Sequence, residues 1–255
     1  MKDIVRNQWE ENAELYAQLI ADSGTPHHKE ILNPSVELLL GDVEGKHLLD
    51  AGCGEGYLSR YYSSKGAIVT GVDFSDKMVV IAREKTNDSS VTFQKGDLCD
   101  LRIFSDSTFD IILCNLVLLN VACLPESLKE FNRVLKQGGI LVFSIVHPAF
   151  DFYGPGAWEM GEKNPHTNRR EGLYFKIDQY TDEKAYERYW RTRDGEKFPE
   201  PITFYHRTIS TYLSELLKAD FQIEAVEEPL PTTKSAFFDR EKRIPFFLVV
   251  KSVKK

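Results

Sequence analysis

Cysteine is scarce: Cys53, Cys99, Cys114 and Cys123 are the four in 255 residues, with no C-x-x-C pair and no cysteine–histidine cluster at zinc-binding spacing. Such spacing indicates neither a disulfide framework nor a structural metal, so reduced thiols and no metal are expected. Long apolar runs are missing too, and nothing approaches the roughly 20 residues that span a bilayer. The opening MKDIVRNQWEENAELYAQL lacks the apolar core and small-residue cleavage site of a secretory signal. A cytoplasmic protein without a membrane segment is therefore expected. Basic residues are in deficit, with 32 Lys and Arg against 39 Asp and Glu and a formal net charge of -7. Without a basic stripe to neutralise phosphates, nucleic acid is disfavoured as a partner, and a small neutral or cationic ligand is favoured.

From about Lys46 onward, short apolar runs alternate with helical patterns: HLLDA, AIVTGVD, SDKMVVIAREK, VTFQKGD, FDIILCNLVLL, PESLKEFNRVLKQ and GGILVFSIVH. That alternation predicts βαβ units in a mainly parallel, doubly wound α/β sheet. Pro125 is expected to open the helix before the fifth strand and Gly138-Gly139 to close it. Two further helical patterns, around Trp9 to Ile20 and Asn33 to Leu40, precede the first strand, so residues 1–43 are read as a helical cover over the cleft.

After His147-Pro148 the periodicity stops. Residues 151–205 hold no sustained helical or strand period but carry twelve of the chain's thirty aromatics. A disordered linker would be poor in aromatics, so this stretch is read as a folded cap inserted between strand five and the next helix. Its nine basic and eleven acidic residues argue against an RNA-binding role. The helix TISTYLSELLKAD and strands FQIEAVE and IPFFLVVKSV complete a single domain spanning 1–255.

The strongest chemical signal is Asp50-Ala51-Gly52-Cys53-Gly54-Glu55-Gly56, an acidic residue ending a strand, then glycines at every second position before a helix. A dinucleotide site would want G-x-G-x-x-G with a pyrophosphate on the helix N-terminus. Asp50 would repel a pyrophosphate but suits an ammonium or sulfonium group. Asp73, 17 residues beyond Gly56, ends the second strand, where a carboxylate can accept both hydroxyls of a ribose. Asp97 follows the third strand, within reach of an adenine amino group.

D-A-G-C-G-E-G together with V-D-F-S, G-D-L and F-D-I-I-L-C-N resembles the class I, Rossmann-like S-adenosylmethionine-dependent methyltransferases of the small-molecule, methyltransferase domain 11-like type. The resemblance covers residues 44–147. It implies a seven-stranded sheet with the last strand antiparallel and S-adenosylmethionine over the strand C-termini, leaving S-adenosylhomocysteine as product. It also implies that Gly52, Gly54 and Gly56 pack against the cofactor, Asp73 binds ribose, Phe74 or Met78 flanks adenine, Asp97 and Leu98 edge it, and Asn115 follows strand four. Tyr16, in N-A-E-L-Y, matches a tyrosine that closes over the methionine end. The chain has Asn115-Leu116-Val117-Leu118 where base N-methylating members carry N-P-P-Y, which disfavours a nucleobase acceptor.

Methyl transfer is an in-line displacement that chiefly needs alignment and exclusion of water; a general base is optional. His147, after the fifth strand, and His206, where the cap returns to the sheet, are the candidate catalytic residues. With Tyr205 they are expected to frame a small-molecule acceptor. Competing readings are a non-catalytic protein that binds the cofactor or a partner, an RNA methyltransferase and a nicotinamide-dependent dehydrogenase.

Overall fold

The computed structural model describes residues 2–166, 170–192 and 194–255. Helix α1 (Lys2–Ile20) and α2 (Asn33–Leu40) precede β1 (His47–Ala51), α3 (Tyr57–Ser64), β2 (Ile68–Asp73), α4 (Asp76–Glu84), β3 (Val91–Lys95) and β4 (Phe109–Asn115). Helix α5 (Leu124–Val134) leads into β5 (Leu135–Val146). Four short strands follow, β6 (Gly156–Lys163), β7 (Arg170–Ile177), β8 (Ala185–Arg188) and β9 (Ile202–Tyr205), and then α6 (Ile209–Lys218), β10 (Phe221–Glu227) and β11 (Phe247–Lys254).

Seven strands form one sheet in the order β10-β11-β5-β4-β1-β2-β3. β11 runs antiparallel to both of its neighbours, while β5, β4, β1, β2 and β3 pair in parallel. This is the Rossmann-like sheet that the resemblance implies. Strand order reverses between β1 and β4, and in open α/β sheets that reversal opens a crevice beyond the strand C-termini.

Period-two alternation builds a core on each face. Leu49, Ile112, Cys114, Leu141, Phe143, Leu248 and Val250 pack into one cluster, and Leu48, Ile111, Leu113, Val142, Phe247 and Val249 into the other. α5 stops at Val134 rather than at the glycine pair, because Leu135 already pairs with Phe109. Gly138 instead lies within β5, at φ 71°, in the irregular stretch before Ile140 pairs with Ile111.

The stretch without sequence periodicity contains two antiparallel ribbons, β6 with β7 and β8 with β9. Their pattern is hidden because β6–β7 is interrupted by register shifts at Glu159/Met160 and Met160/Lys163, and much of both strands is exposed. Aromatics supply its packing: Tyr153 stacks on Phe204 at 4.4 Å, and buried Phe198, Ile202 and Phe204 join the main core. Helix α1 ties this segment to the sheet. Gln8 accepts from the Thr203 amide and hydroxyl, the buried Asn12 side chain exchanges two hydrogen bonds with the Glu200 backbone, and Glu10 accepts from Ser75 Oγ at 2.6 Å. Among the described residues no helix is long and apolar enough to cross a membrane.

Candidate cofactor and acceptor site

The turn from β1 to α3 requires its glycines. Gly52, Gly54 and Gly56 all have positive φ, 79°, 53° and 83°, which L side chains rarely adopt. Space forbids a side chain as well: a Cβ on Gly52 would lie 2.5 Å from Val117 Cγ2, and one on Gly56 would lie 2.7 Å from Phe93 Cζ. Gly56 therefore serves helix–sheet packing, whereas Gly52 and Gly54 present bare backbone to a cavity.

Carboxylates surround that backbone. Asp50 lies buried beneath the turn and accepts from Ser59 Oγ at 2.6 Å; burial pushes its carboxyl up to about 7. Asp73 accepts from the Gly54 amide at 3.0 Å and the Ser75 amide at 2.9 Å. Its burial outweighs those hydrogen bonds and raises it to about 6. Asp97 Oδ1 accepts from the Cys99 amide at 2.9 Å, which turns the chain after β3. Glu55, also buried, is neutralised by Arg60 at 2.8 Å and Lys85 at 2.9 Å.

Tyr16, Gly52, Gly54, Asp73, Phe74, Met78, Asp97, Leu98 and Asn115 converge on one cavity of about 840 Å³, part of it open to solvent. Nine sequence-derived candidates thus meet in one place, while Asp50 and Gly56 support it from behind. Tyr16 comes from α1, its ring 5.1 Å from Trp9 and stacked on Trp190 at 6.2 Å. Burial, with Glu55, Asp73 and Asp50 nearby, holds the Tyr16 phenol well above its ordinary range, so it stays a hydrogen-bond donor. Asn115 ends β4 and accepts from Ser144 Oγ at 2.7 Å. Leu116 follows with φ 56°, an uncommon conformation for a branched residue, and bends the chain over the cavity.

The structure does not bring His147, His206 and Tyr205 to this cavity. β11 pairs with β5 as far as Phe247 opposite Val146, and the Phe246 carbonyl takes the His147 amide at 2.8 Å, so the end of β5 is roofed. The buried His147 ring donates from Nε2 to Glu228 at 2.8 Å and accepts the Ala149 amide on Nδ1 at 3.2 Å; burial outweighs Glu228 and lowers its pKa. His206 lies 3.1 Å from Asp151 through Nδ1 and 2.8 Å from the Tyr180 carbonyl through Nε2. Its burial opposes a charge, but those two partners outweigh it and the pKa is raised. Tyr205 lines a separate depression of about 250 Å³ with Leu119, Phe204, Arg207 and Tyr212.

Sequence reasoning missed several residues of the main cavity, notably Val5, Trp9, Val117, Asn120, Cys99 and Cys123. Trp9 lies two helical turns before Tyr16, on the same stripe, and that spacing was the available signal. Asn120 is fixed through Nδ2 on the Thr203 carbonyl at 2.7 Å, a pairing 83 residues distant that no local pattern announces. Cys99 and Cys123, which no sequence pattern pairs, are brought sulfur to sulfur, with Cα atoms 6.0 Å apart, a spacing that a disulfide can bridge. Their 24-residue separation matches no motif, and only the approach of the loops after β3 and before α5 brings them together.

The cavity lies at the strand reversal, is floored by bare glycine backbone and walled by Asp73 and Asp97, and among the described residues no lysine or arginine lines it, which suits a cationic adenosine derivative better than a pyrophosphate. The "Methyltransferase domain" family matches residues 49–143, the glycine turn through β5. An uncharacterized protein of Haemophilus influenzae is 30% identical over 246 residues, covering 92% of each chain. A malonyl-[acyl-carrier protein] O-methyltransferase of Pectobacterium atrosepticum is 34% identical over 125 residues, so the chain spans about half of that relative, 48% of its length. The crystal structure of an S-adenosylmethionine-dependent methyltransferase from Mesorhizobium loti is 29% identical, covers 87% of this chain and 96% of that one, and superposes with a TM-score of 0.69. The chain belongs to the class I S-adenosylmethionine-dependent methyltransferases. Its cofactor is S-adenosylmethionine.

Proposed function

We propose that this enzyme methylates a small-molecule acceptor held between the cofactor and helix α1. The observation that carries the reading is the apolar share of the cavity lining, Val5 and Trp9 from α1 with Val117 and Val121, beside Asn120. These residues suit an acceptor with an apolar body. When bound, S-adenosylmethionine supplies an electrophilic methyl group on a sulfonium centre. In this reading Asp73 holds the ribose hydroxyls, and Asp97 and Leu98 edge the adenine between Phe74 and Met78. Gly52 and Gly54 admit the methionine portion, and Tyr16 covers it with Asp50 beneath. The α1 wall and the aromatic packing of Trp9, Tyr16 and Trp190 exclude water, and the residue that aligns the acceptor is Asn120 through its Oδ1.

His147 and His206 are proposed as structural residues, His147 joining Ala149 to Glu228 and His206 joining Asp151 to Tyr180, each buried with both ring nitrogens engaged, while Tyr205 pairs with Ala185 in the β8–β9 ribbon. A second reading, transfer to a carboxyl group tethered to a carrier protein, is favoured by the name of the Pectobacterium atrosepticum relative. Assaying free acids, phenols and amines beside carrier-bound acyl groups, with S-adenosylhomocysteine release as readout, tests both. Turnover on a free acceptor supports the first reading. Turnover only on carrier-bound groups replaces it with the second, and turnover only on RNA overturns both.

A further inference from the structure

The four cysteines fall into two kinds. Cys53 and Cys114 are buried in the core, and burial holds both thiols well above the ordinary range, which leaves them inert. Cys99 and Cys123 are partly exposed, and both line the cofactor cavity. They come from two loops that face each other across its adenine end, and their sulfurs meet.

Each cysteine is mechanically attached to a wall of the cavity. The Cys99 amide donates to Asp97 Oδ1 at 2.9 Å, so Cys99 cannot shift without disturbing Asp97. Cys123 ends the loop that runs from Val117 through Asn120 and is the capping residue of α5. Its carbonyl accepts the Ser127 amide at 3.0 Å, and the buried Ser127 hydroxyl lies 3.8 Å from Cys123 Sγ and 3.9 Å from Cys99 Sγ. Cys123 stands at the N-terminal end of this eleven-residue helix, and a carboxylate oxygen of Asp97 lies within 4.8 Å of both sulfurs.

We propose that Cys99 and Cys123 are a reversible redox pair whose state sets the affinity of the cavity for its nucleoside ligand. The proposal rests on the reading of this cavity as the S-adenosylmethionine site. In the oxidising direction the Cys123 thiolate attacks a peroxide oxygen, breaking the O–O bond and giving a sulfenic acid and, after protonation, one water. The Cys99 sulfur then displaces the sulfenic oxygen as a second water. Two thiols and one hydrogen peroxide become one disulfide and two waters, and two electrons pass from sulfur to peroxide. A small dithiol reverses the step by exchange and leaves as its own disulfide.

The bond ties the Asp97 loop to the Val117–Cys123 loop, so the oxidised protein meets its ligand with both walls already placed. Ordering that precedes binding is not charged against affinity. Oxidation is therefore expected to tighten binding of S-adenosylhomocysteine by about fivefold or more, within the usual range of coupled sites. Linkage makes the effect reciprocal: bound S-adenosylhomocysteine must make the disulfide harder to reduce by the same factor.

The test uses the full chain treated with hydrogen peroxide or with dithiothreitol, followed by thiol counting, peptide mapping and calorimetric titration of S-adenosylhomocysteine. Loss of two thiols confined to Cys99 and Cys123, tighter binding by the oxidised form, and a matching shift in the dithiothreitol ratio at half-reduction are expected. The double variant Cys99→Ser/Cys123→Ser should show a single affinity under both treatments. Equal affinities of the oxidised and reduced wild type would overturn the proposal while leaving the cofactor reading intact. A reduced protein that instead takes up one zinc ion per chain and protects both thiols would overturn it in favour of a metal site built from Asp97, Cys99 and Cys123. No binding by either form would overturn the cofactor reading itself.

Discussion

The Asp73 carboxylate accepts the Gly54 amide at 3.0 Å, which joins the tip of β2 to the glycine turn after β1. One carboxylate thereby positions the cofactor loop and faces the cavity. Asp73→Asn keeps the shape but removes the charge. Hydrogen bonds to charged groups contribute about 1.5–3 kcal/mol, so S-adenosylhomocysteine should bind about 10- to 100-fold more weakly to the variant by calorimetry. The wild-type carboxyl sits at about 6, so wild-type affinity should fall as pH drops from 7 to 5 while that of Asp73→Asn stays flat. Equal affinities at pH 7.5 would remove Asp73 from the site.

Gly52 and Val117 touch across the floor of the cavity, with only 2.5 Å between a hypothetical Cβ and Val117 Cγ2. Gly52→Ala should lower stability by about 1–3 kcal/mol through the clash and the positive φ together. Val117→Ala in the same chain should recover the part due to the clash. Strict additivity in urea unfolding would mean that the two do not meet.

Asp50 is expected to cost the protein stability. Its carboxyl titrates at about 7 against an ordinary 3.8, so between these values the folded chain holds a proton that the unfolded chain has released. Stability should therefore fall as pH rises from 4 to 7. Asp50→Asn abolishes that titration. Its stability relative to wild type should improve by at least about 1 kcal/mol between pH 4.5 and pH 8, roughly the value of one pKa unit, while its affinity for the cationic cofactor declines. A pH-independent difference would contradict the burial argument.

His147→Ala and His206→Ala should keep turnover on the true acceptor within about threefold and lose stability, His206→Ala by about 1–3 kcal/mol because it strands the buried Asp151 carboxylate, and His147→Ala through its own buried ring, since Glu228 is exposed and can be hydrated. For His206 the sign is definite. Its folded pKa is raised, so its contribution is complete below about 6.5 and disappears as pH rises through the folded value. The melting difference between wild type and His206→Ala should be larger at pH 6 than at pH 9. Loss of turnover without loss of stability would return either histidine to the chemistry.

Local patterns carried the sheet and one wall of the cavity. Strand-by-strand alternation, the glycine turn and the carboxylates at the ends of successive strands are short-range features, so Asp73, Asp97 and the glycines were legible. The helix end before β5 was misjudged because Leu135 pairs with Phe109 while glycines were still expected ahead, a choice that the sheet makes. His147 stood at the correct strand end, but β11 and Phe246 cover it from 100 residues away, so its position in the sequence said nothing of its burial. Asn120 and the Cys99–Cys123 pair owe their places to tertiary contacts alone.

The central claim is that the cavity between Gly52, Asp73 and Asp97 takes S-adenosylmethionine. Thermal unfolding with S-adenosylmethionine, S-adenosylhomocysteine and NAD in parallel tests it most directly, because a native-state ligand at about 100 times its Kd stabilises by about 2.7 kcal/mol. A rise in Tm with the first two and none with NAD is predicted, and in Asp73→Asn at the same concentrations the stabilisation should shrink to about 0.4–1.4 kcal/mol, as a 10- to 100-fold weaker Kd requires. A rise with NAD alone, or no rise with any of the three, would contradict the account.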